Sequence, residues 1–128
     1  MVSDQGGSEV NPEFKFFTKS EFKCHCCDRS YVSEELIHRL DRARSISGIP
    51  YNIVSGYRCP KHNRAIGSKS TSSHIKGLAV DIGAIDSQSR FLVLFGLINA
   101  GFIRIGIGPN FIHVDIDDSK QVNLCWLY

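Results

Sequence analysis

Two stretches of the sequence place a histidine and an aspartate close to or within apolar segments. In the first, Asp81 interrupts an apolar run and follows His74 by seven residues. In the second, Phe111–Ile116, the polar residues His113 and Asp115 alternate with apolar ones. A carboxylate among apolar side chains costs several kcal/mol unless it is paired or binds a metal. The pattern therefore predicts a metal site or, as the alternative, hydrogen-bonded polar residues of the core.

The spacing within the second stretch favours the metal site. Side chains two apart on a strand project from the same face, so His113 and Asp115 share a face and the apolar residues occupy the other. Three ligands drawn from histidine and carboxylate, with a fourth position open for water, are typical of hydrolytic zinc centres. Two such His–Asp pairs close together in one short chain weaken the alternative of isolated, satisfied core residues.

Three motifs resemble a known family when they are taken together and in order. They are Ser-Gly-Tyr-Arg at 55–58, Ser-x-His-x-x-Gly-x-Ala-x-Asp at 72–81 and Phe-Ile-His-Val-Asp at 111–115. They resemble the zinc D-Ala-D-Ala carboxypeptidase family, peptidase family M15, over roughly residues 14–116. Relatives in that family include vancomycin-resistance D,D-dipeptidases, phage L-alanyl-D-glutamate endolysins and the Hedgehog signalling domain.

The resemblance implies a zinc metallopeptidase that hydrolyses amide bonds in bacterial peptidoglycan stem peptides, as a D,D-carboxypeptidase or an endolysin-type endopeptidase. It implies three ligands for the Zn²⁺ cofactor: His74, Asp81 and His113. Arg58 would stabilise a substrate carbonyl or carboxylate, for which a guanidinium with its fixed fork of donors is suited. Ser72 and Tyr57 would contact the substrate.

The sequence departs from the family at the general base. Many members carry an acidic residue three positions before the last zinc histidine, where this chain has Asn110, and others carry a histidine two positions before it, where this chain has Phe111. Asp115 remains as the base or as a partner that orients His113, and the two could also exchange roles, with Asp115 on zinc. A non-catalytic zinc-containing binding module of the same fold is the alternative function.

The cysteines suggest a second site. Cys24-x-x-Cys27 and Cys59-x-x-His62 each have the spacing of half a zinc knuckle, and together they predict a Cys₃His structural site. Cys26 could replace either neighbour. Buried thiols or one disulfide are the alternatives.

The elements that must position these groups are two main helices and four strands. Ser33 caps a first helix that ends at Gly48. Ser87 caps a second helix over 88–100, which is apolar over most of its surface, so we expect it to be largely buried. Strands are expected at 51–54, 78–82, 102–107 and 111–116. This pattern predicts an α+β fold with a small, mostly antiparallel sheet, similar to Hedgehog and the D,D-peptidases.

Composition limits the other possibilities. The chain has 128 residues, enough for one domain, which we place at 14–128 after a flexible polar tail at 1–13. A formal charge of +2 gives no basic face for nucleic acid. No apolar run reaches the roughly 18 residues of a membrane span, so we expect no membrane insertion. We also expect the protein to be a monomer. The N-terminus has no secretory signal pattern. We therefore expect synthesis in the cytoplasm, and the resemblance to the M15 family implies action on the cell wall after phage-type release.

Overall fold

A computed structural model describes residues 14–128, which form a five-stranded mixed sheet with three α-helices. The tail expected at 1–13 lies outside the described residues. The elements, in chain order, are α1 Glu34–Ser47, β1 Ile53–Ser55, α2 Pro60–Ala65, β2 Ala79–Gly83, α3 Ser87–Asn99, β3 Arg104–Ile107, β4 Phe111–Asp115 and β5 Leu124–Leu127. The predicted α+β class is confirmed.

The strand order in the sheet is β1-β2-β4-β3-β5. The first three pairings are antiparallel, whereas β3 and β5 are parallel, so the sheet is mostly antiparallel as predicted. Strand β5 was not predicted from the sequence. The register places one row of residues across four strands: Asp81, His113, Gly106 and Trp126. Because paired residues in a sheet project from the same face, this row brings Asp81 and His113 together.

The hydrophobic core lies on the other face of the sheet. Val80 and Ile82 of β2 and Ile112 and Val114 of β4 are fully buried there. Helix α1 contributes its apolar stripe to the same core: Leu36, Ile37, Leu40 and Ala43. As predicted, α1 is capped by Ser33, whose hydroxyl accepts a hydrogen bond from the backbone of Leu36, and it stops at Gly48 in the left-handed region (φ 74°).

Helix α3 differs from the prediction in two respects. Its N-cap is Asp86 rather than Ser87, and the Asp86 carboxylate accepts a hydrogen bond of 2.7 Å from the backbone of Ser89. The expectation that this helix is largely buried is wrong, because Phe91 and Ile98 are 64% and 60% exposed. One face packs on α1 and the sheet, while the opposite face meets solvent. No helix within residues 14–128 has both the length and the apolarity to cross a membrane.

The segment before α1 is anchored to the helix layer. Phe14, Phe17 and Phe22 are buried in the core. The Asp41 carboxylate of α1 accepts hydrogen bonds from the backbone N–H groups of residues 15 and 16, at 2.6 and 2.9 Å. These contacts fix the approach of the chain to the cysteine-bearing loop at 24–27.

Candidate metal centre

The candidate site is built on the face of the sheet opposite the core. Asp81 in β2 lies directly across from His113 in β4, and His74 reaches the same point from the loop before β2. His74 is held there because its Nδ1 donates a hydrogen bond of 2.8 Å to the carbonyl oxygen of Gly56. We call His74, Asp81 and His113 the triad.

The ligand atoms of the triad lie within 4.8 Å of one another. Oδ1 of Asp81 is 2.9 Å from Nδ1 of His113 and 3.4 Å from Nε2 of His74. Since the Gly56 carbonyl can only accept, Nδ1 of His74 carries a proton, and Nε2 is the nitrogen that faces the cluster. Two imidazole nitrogens and a carboxylate oxygen therefore converge, which is a donor set that fits zinc.

The electrostatics of the triad also suit a cation. Burial acts to raise the pKa of Asp81, but hydrogen bonds from His113 and His74 outweigh it and hold that pKa well below its usual range. Burial acts to lower the pKa of His113, but hydrogen bonds to Asp115 and Asp81 raise it above the usual value. Negative charge that favours a protonated imidazole favours a divalent cation for the same reason.

Asp115 lies on the far side of His113 from Asp81. Its Oδ2 is 2.8 Å from Nε2 of His113, and its Oδ1 accepts hydrogen bonds from Nε of Arg104 at 2.6 Å and from the backbone of Asp117 at 3.1 Å. Both carboxylate oxygens are therefore occupied, and the side chain is 2% exposed. Sequence reasoning missed Arg104, although a buried charge in the apolar segment at 102–107 is a signal of the same kind as Asp81.

Arg58 reaches the same cavity, a space of about 270 Å³ that is also lined by the triad. Nη1 donates to Asn63 at 3.0 Å and Ser68 at 3.2 Å, and Nη2 donates to Ser55 at 3.4 Å. Nε is buried and has no hydrogen-bond partner among the described residues. Burial lowers the pKa of Arg58, against the opposing charge of Asp81.

The two residues predicted to contact substrate lie in different places. Ser72 lines the cavity, and its hydroxyl accepts a hydrogen bond of 3.2 Å from the backbone of His74. Tyr57 packs edge-on against Tyr31, with ring centroids 5.3 Å apart, and is not among the residues that line the cavity. The structure thus brings Ser72 to the cavity that the triad lines. A substrate contact by Tyr57 stays a prediction.

Residues 15–115 match the family model described as Peptidase M15. The chain belongs to the peptidase M15 family. The match spans most of the sequence and contains the triad, Arg58 and Asp115, which confirms the family that the sequence motifs resembled. No individual curated protein matches the chain.

In this M15 peptidase the cavity wall is completed by β5, beyond the matched region. The ring of Trp126 lies 5.5 Å from that of His113, and the ring of Tyr128 lies 6.3 Å from it. Gly106 allows this arrangement, because a Cβ there would lie 2.5 Å from Nε1 of Trp126. The sequence signal that could have revealed this wall is the pair of aromatic residues two positions apart, which share a strand face.

The predicted cysteine site of the M15 peptidase is formed in part. The Sγ atoms of Cys24, Cys27 and Cys59, which we call the thiol cluster, lie within 4.8 Å of one another. All cysteines are free thiols. The His62 imidazole does not belong to the group and lies 6.2 Å from the ring of His25. Burial acts to raise the pKa of Cys24, but hydrogen bonds from backbone N–H groups lower it to about 7.

Proposed function

We propose that this M15 peptidase is a zinc enzyme that hydrolyses amide bonds in bacterial peptidoglycan stem peptides, as a D,D-carboxypeptidase or an endolysin-type endopeptidase. The observation that carries the proposal is the convergence of the triad at a cavity that Arg58 also lines. Its place of action would be the cell wall, reached by phage-type release after synthesis in the cytoplasm, and it would act as a monomer.

The triad fits Zn²⁺ through Nε2 of His74, a carboxylate oxygen of Asp81 and Nδ1 of His113. Bound there, Zn²⁺ would lower the pKa of a water molecule and polarise the scissile carbonyl. The protein residues keep the ligands in the correct form. The Gly56 carbonyl holds the proton of His74 on Nδ1, 2.8 Å away, so that Nε2 stays available.

We assign Asp115 to the orientation of His113 rather than to the base or ligand role. Its Oδ2 accepts a hydrogen bond from the Nε2–H of His113, which leaves Nδ1 free to bind the metal. Its other oxygen is occupied by Arg104 and by a backbone N–H. A carboxylate in which both oxygens are engaged is poorly placed to take a proton from water.

The cavity provides cations for an anionic substrate. Arg58, Lys69 and Lys120 line it together with the triad. The unpartnered Nε of Arg58 is a donor that a substrate carbonyl or carboxylate oxygen could satisfy. Stem peptides carry free carboxylates, so this charge pattern favours them over neutral or basic peptides.

A non-catalytic zinc-binding module is the second candidate, and a specific observation favours it. The two positions at which relatives carry a base hold Asn110 and Phe111. The backbone carbonyl of Asn110 accepts a hydrogen bond of 3.0 Å from the backbone N–H of Ala84. This bond holds the turn between β3 and β4 against the end of β2. With Asp115 also engaged, no carboxylate outside the triad is free within the described part of the cavity.

Digestion of peptidoglycan decides between the two functions. Purified, zinc-loaded protein should release peptide fragments whose masses identify the bond that is cut. The His74→Ala variant, treated in the same way, should release none. If the zinc-loaded wild type binds muropeptides without cleaving them, the chain is a binding module.

A further inference from the structure

We propose that the thiol cluster is a second metal site, which binds Zn²⁺ as a structural ion whether or not the proposed activity is correct. Three thiolates come from Cys24, Cys27 and Cys59, whose Sγ atoms lie within 4.8 Å of one another. Zinc held by cysteine in structural sites is four-coordinate. We assign the fourth position to Cys26, which lies between two of the ligands in the loop at 24–27 and whose backbone N–H is 3.4 Å from Sγ of Cys24.

The backbone around the cluster is arranged to receive thiolates. Sγ of Cys24 accepts hydrogen bonds from the backbone N–H groups of Cys26 and Cys59, both at 3.4 Å. Sγ of Cys59 accepts one from the backbone of His62, also at 3.4 Å, at the N-terminus of α2. N–H donors directed at sulfur stabilise its anionic, metal-binding form.

These contacts also explain why His62 is not the fourth ligand. The spacing Cys59-x-x-His62 suggested that the imidazole binds zinc. In the structure Cys59 is the N-cap of α2, and the third residue after a cap presents its backbone N–H to it. His62 thus contributes its main chain to the sulfur, while its ring lies against His25.

A disulfide accounts for the cluster less well than a metal does. One bond between two of the three cysteines would leave the third thiol unpaired beside it. Cys24 is fully buried, and its sulfur joins the loop at 24–27 to Cys59 by accepting a hydrogen bond from the Cys59 backbone. Because metal binding links chain segments that are far apart in sequence, its free energy adds to that of folding.

The position of the cluster gives the second ion a role in the first site. Cys59 directly follows Arg58, and the carbonyl of Gly56 holds the ring of His74. The same segment is packed tightly on the N-terminal region, since a Cβ at Gly56 would lie 2.6 Å from the carbonyl oxygen of Phe22. An ion on the thiol cluster therefore fixes the segment that positions Arg58 and His74.

Cobalt substitution tests the proposal on the whole protein. Reduced protein is stripped of metal and reloaded with Co²⁺, and the near-ultraviolet thiolate-to-cobalt charge-transfer band is recorded. The triad contains no sulfur, so the band reports the thiol cluster alone. We expect the band in the wild type and in Asp81→Ala, which removes a triad ligand. Cys59→Ser should abolish it, and Cys26→Ser should lower it by about a quarter, as one thiolate of four is lost.

Zinc counting provides the matched control. Wild-type protein should hold two ions, and Asp81→Ala and Cys59→Ser should each hold one. Cys125→Ser, at an exposed cysteine of β5, should keep both ions and the full cobalt band. A wild-type protein that shows no charge-transfer band would overturn the proposal even if Cys59→Ser does not fold. Absence of peptidoglycan hydrolysis, by contrast, would leave the band unchanged and refute only the proposed function.

Discussion

Nε2 of His113 lies 2.8 Å from Oδ2 of Asp115, on the edge of the ring opposite the one that faces Asp81. Each edge of the imidazole therefore faces its own carboxylate. Arg104 holds the outer carboxylate at 2.6 Å, which leaves this carboxylate, itself part of the cavity lining, little freedom to turn. This arrangement is the basis for the proposal that Asp115 orients His113.

Replacement of Asp115 by asparagine tests this role. Because an amide orients His113 less strongly than a carboxylate, Asp115→Asn should weaken zinc binding by about ten- to a hundredfold. Competition with a chelator measures this change. A variant that keeps its zinc affinity but loses turnover by roughly two to four orders of magnitude would make Asp115 the general base instead.

Removal of a triad ligand should remove one metal ion. His74→Ala deletes the imidazole whose Nε2 lies 3.4 Å from Asp81, so we expect the loss of one zinc per chain and of all hydrolysis. His38→Ala, at an exposed histidine of α1, is the matched control and should keep both properties. Full activity of His74→Ala after chelation and re-addition of zinc would exclude the triad as the catalytic site.

Arg58→Lys should retain zinc and lose most activity. Lysine keeps the charge but lacks the planar fork that here spans Asn63, Ser68 and the cavity. Loss of one donor to a developing oxyanion costs about a hundredfold or more in turnover. Steady-state kinetics measures the effect, with the exposed Arg64→Lys of α2 as the control. A near-normal rate for Arg58→Lys would place the guanidinium outside the reaction.

Trp126 is the only tryptophan of the chain, and its ring lies 5.5 Å from His113. Binding of a cation by His113 should change the environment of the indole and hence its fluorescence. We expect Zn²⁺ titration of metal-free protein to shift the tryptophan emission, and we expect the shift to disappear in Asp81→Ala. If zinc leaves the tryptophan emission of the wild type unchanged, zinc does not bind at His113 beside Trp126.

Asp117 should make stability depend on pH. It is buried, accepts hydrogen bonds from Ser73 at 2.6 Å and Lys76 at 3.1 Å, and is also hydrogen-bonded by Ser119. Burial acts to raise its pKa, but hydrogen bonds from Ser119, Ser73 and Lys76 hold it well below the usual range. Because folding lowers this pKa, the stabilisation is present above about pH 4 and is lost as the pH falls below that value.

Asp117→Asn should therefore reduce the free energy of unfolding by about 1–3 kcal/mol near neutral pH. The difference from the wild type should shrink as the pH falls below about 4. Urea denaturation near neutral pH and below about pH 4 measures the loss of stability and its decrease in acid. The neighbouring exposed Asp118→Asn should change little at either pH, and an equal loss for both variants would show that the buried hydrogen bonds contribute nothing specific.

The alternation of residues predicted one part of the candidate site, the shared strand face of His113 and Asp115. His113 and Asp115 share a face because strand geometry has a period of two, and the cost of burying Asp81 indicated that it has a partner. The cross-strand pairing of Asp81 with His113 satisfies both conditions. The spacing of the cysteines likewise predicted that Cys24, Cys27 and Cys59 lie together, whereas His62, predicted to join them, lies outside the cluster.

The remaining features depend on contacts between distant parts of the chain. Arg104 has no local partner in the sequence, and it became interpretable only when β3 was placed beside β4. Strand β5 was missed because its parallel pairing with β3 requires a connection that local patterns do not encode. The burial of α3 was overestimated, since apolar residues around a helix do not reveal how many of its faces are covered.

Two separate parts of the chain form the cavity, and one of them includes the parallel strand β5. Every triad residue lies between 74 and 113, whereas Trp126 belongs to β5 and Tyr128 directly follows it. Changes in β5 can thus alter the shape and chemistry of the wall while the metal ligands stay as they are. We therefore expect substitutions in β5 to change the substrate selectivity of the proposed enzyme without changing its triad.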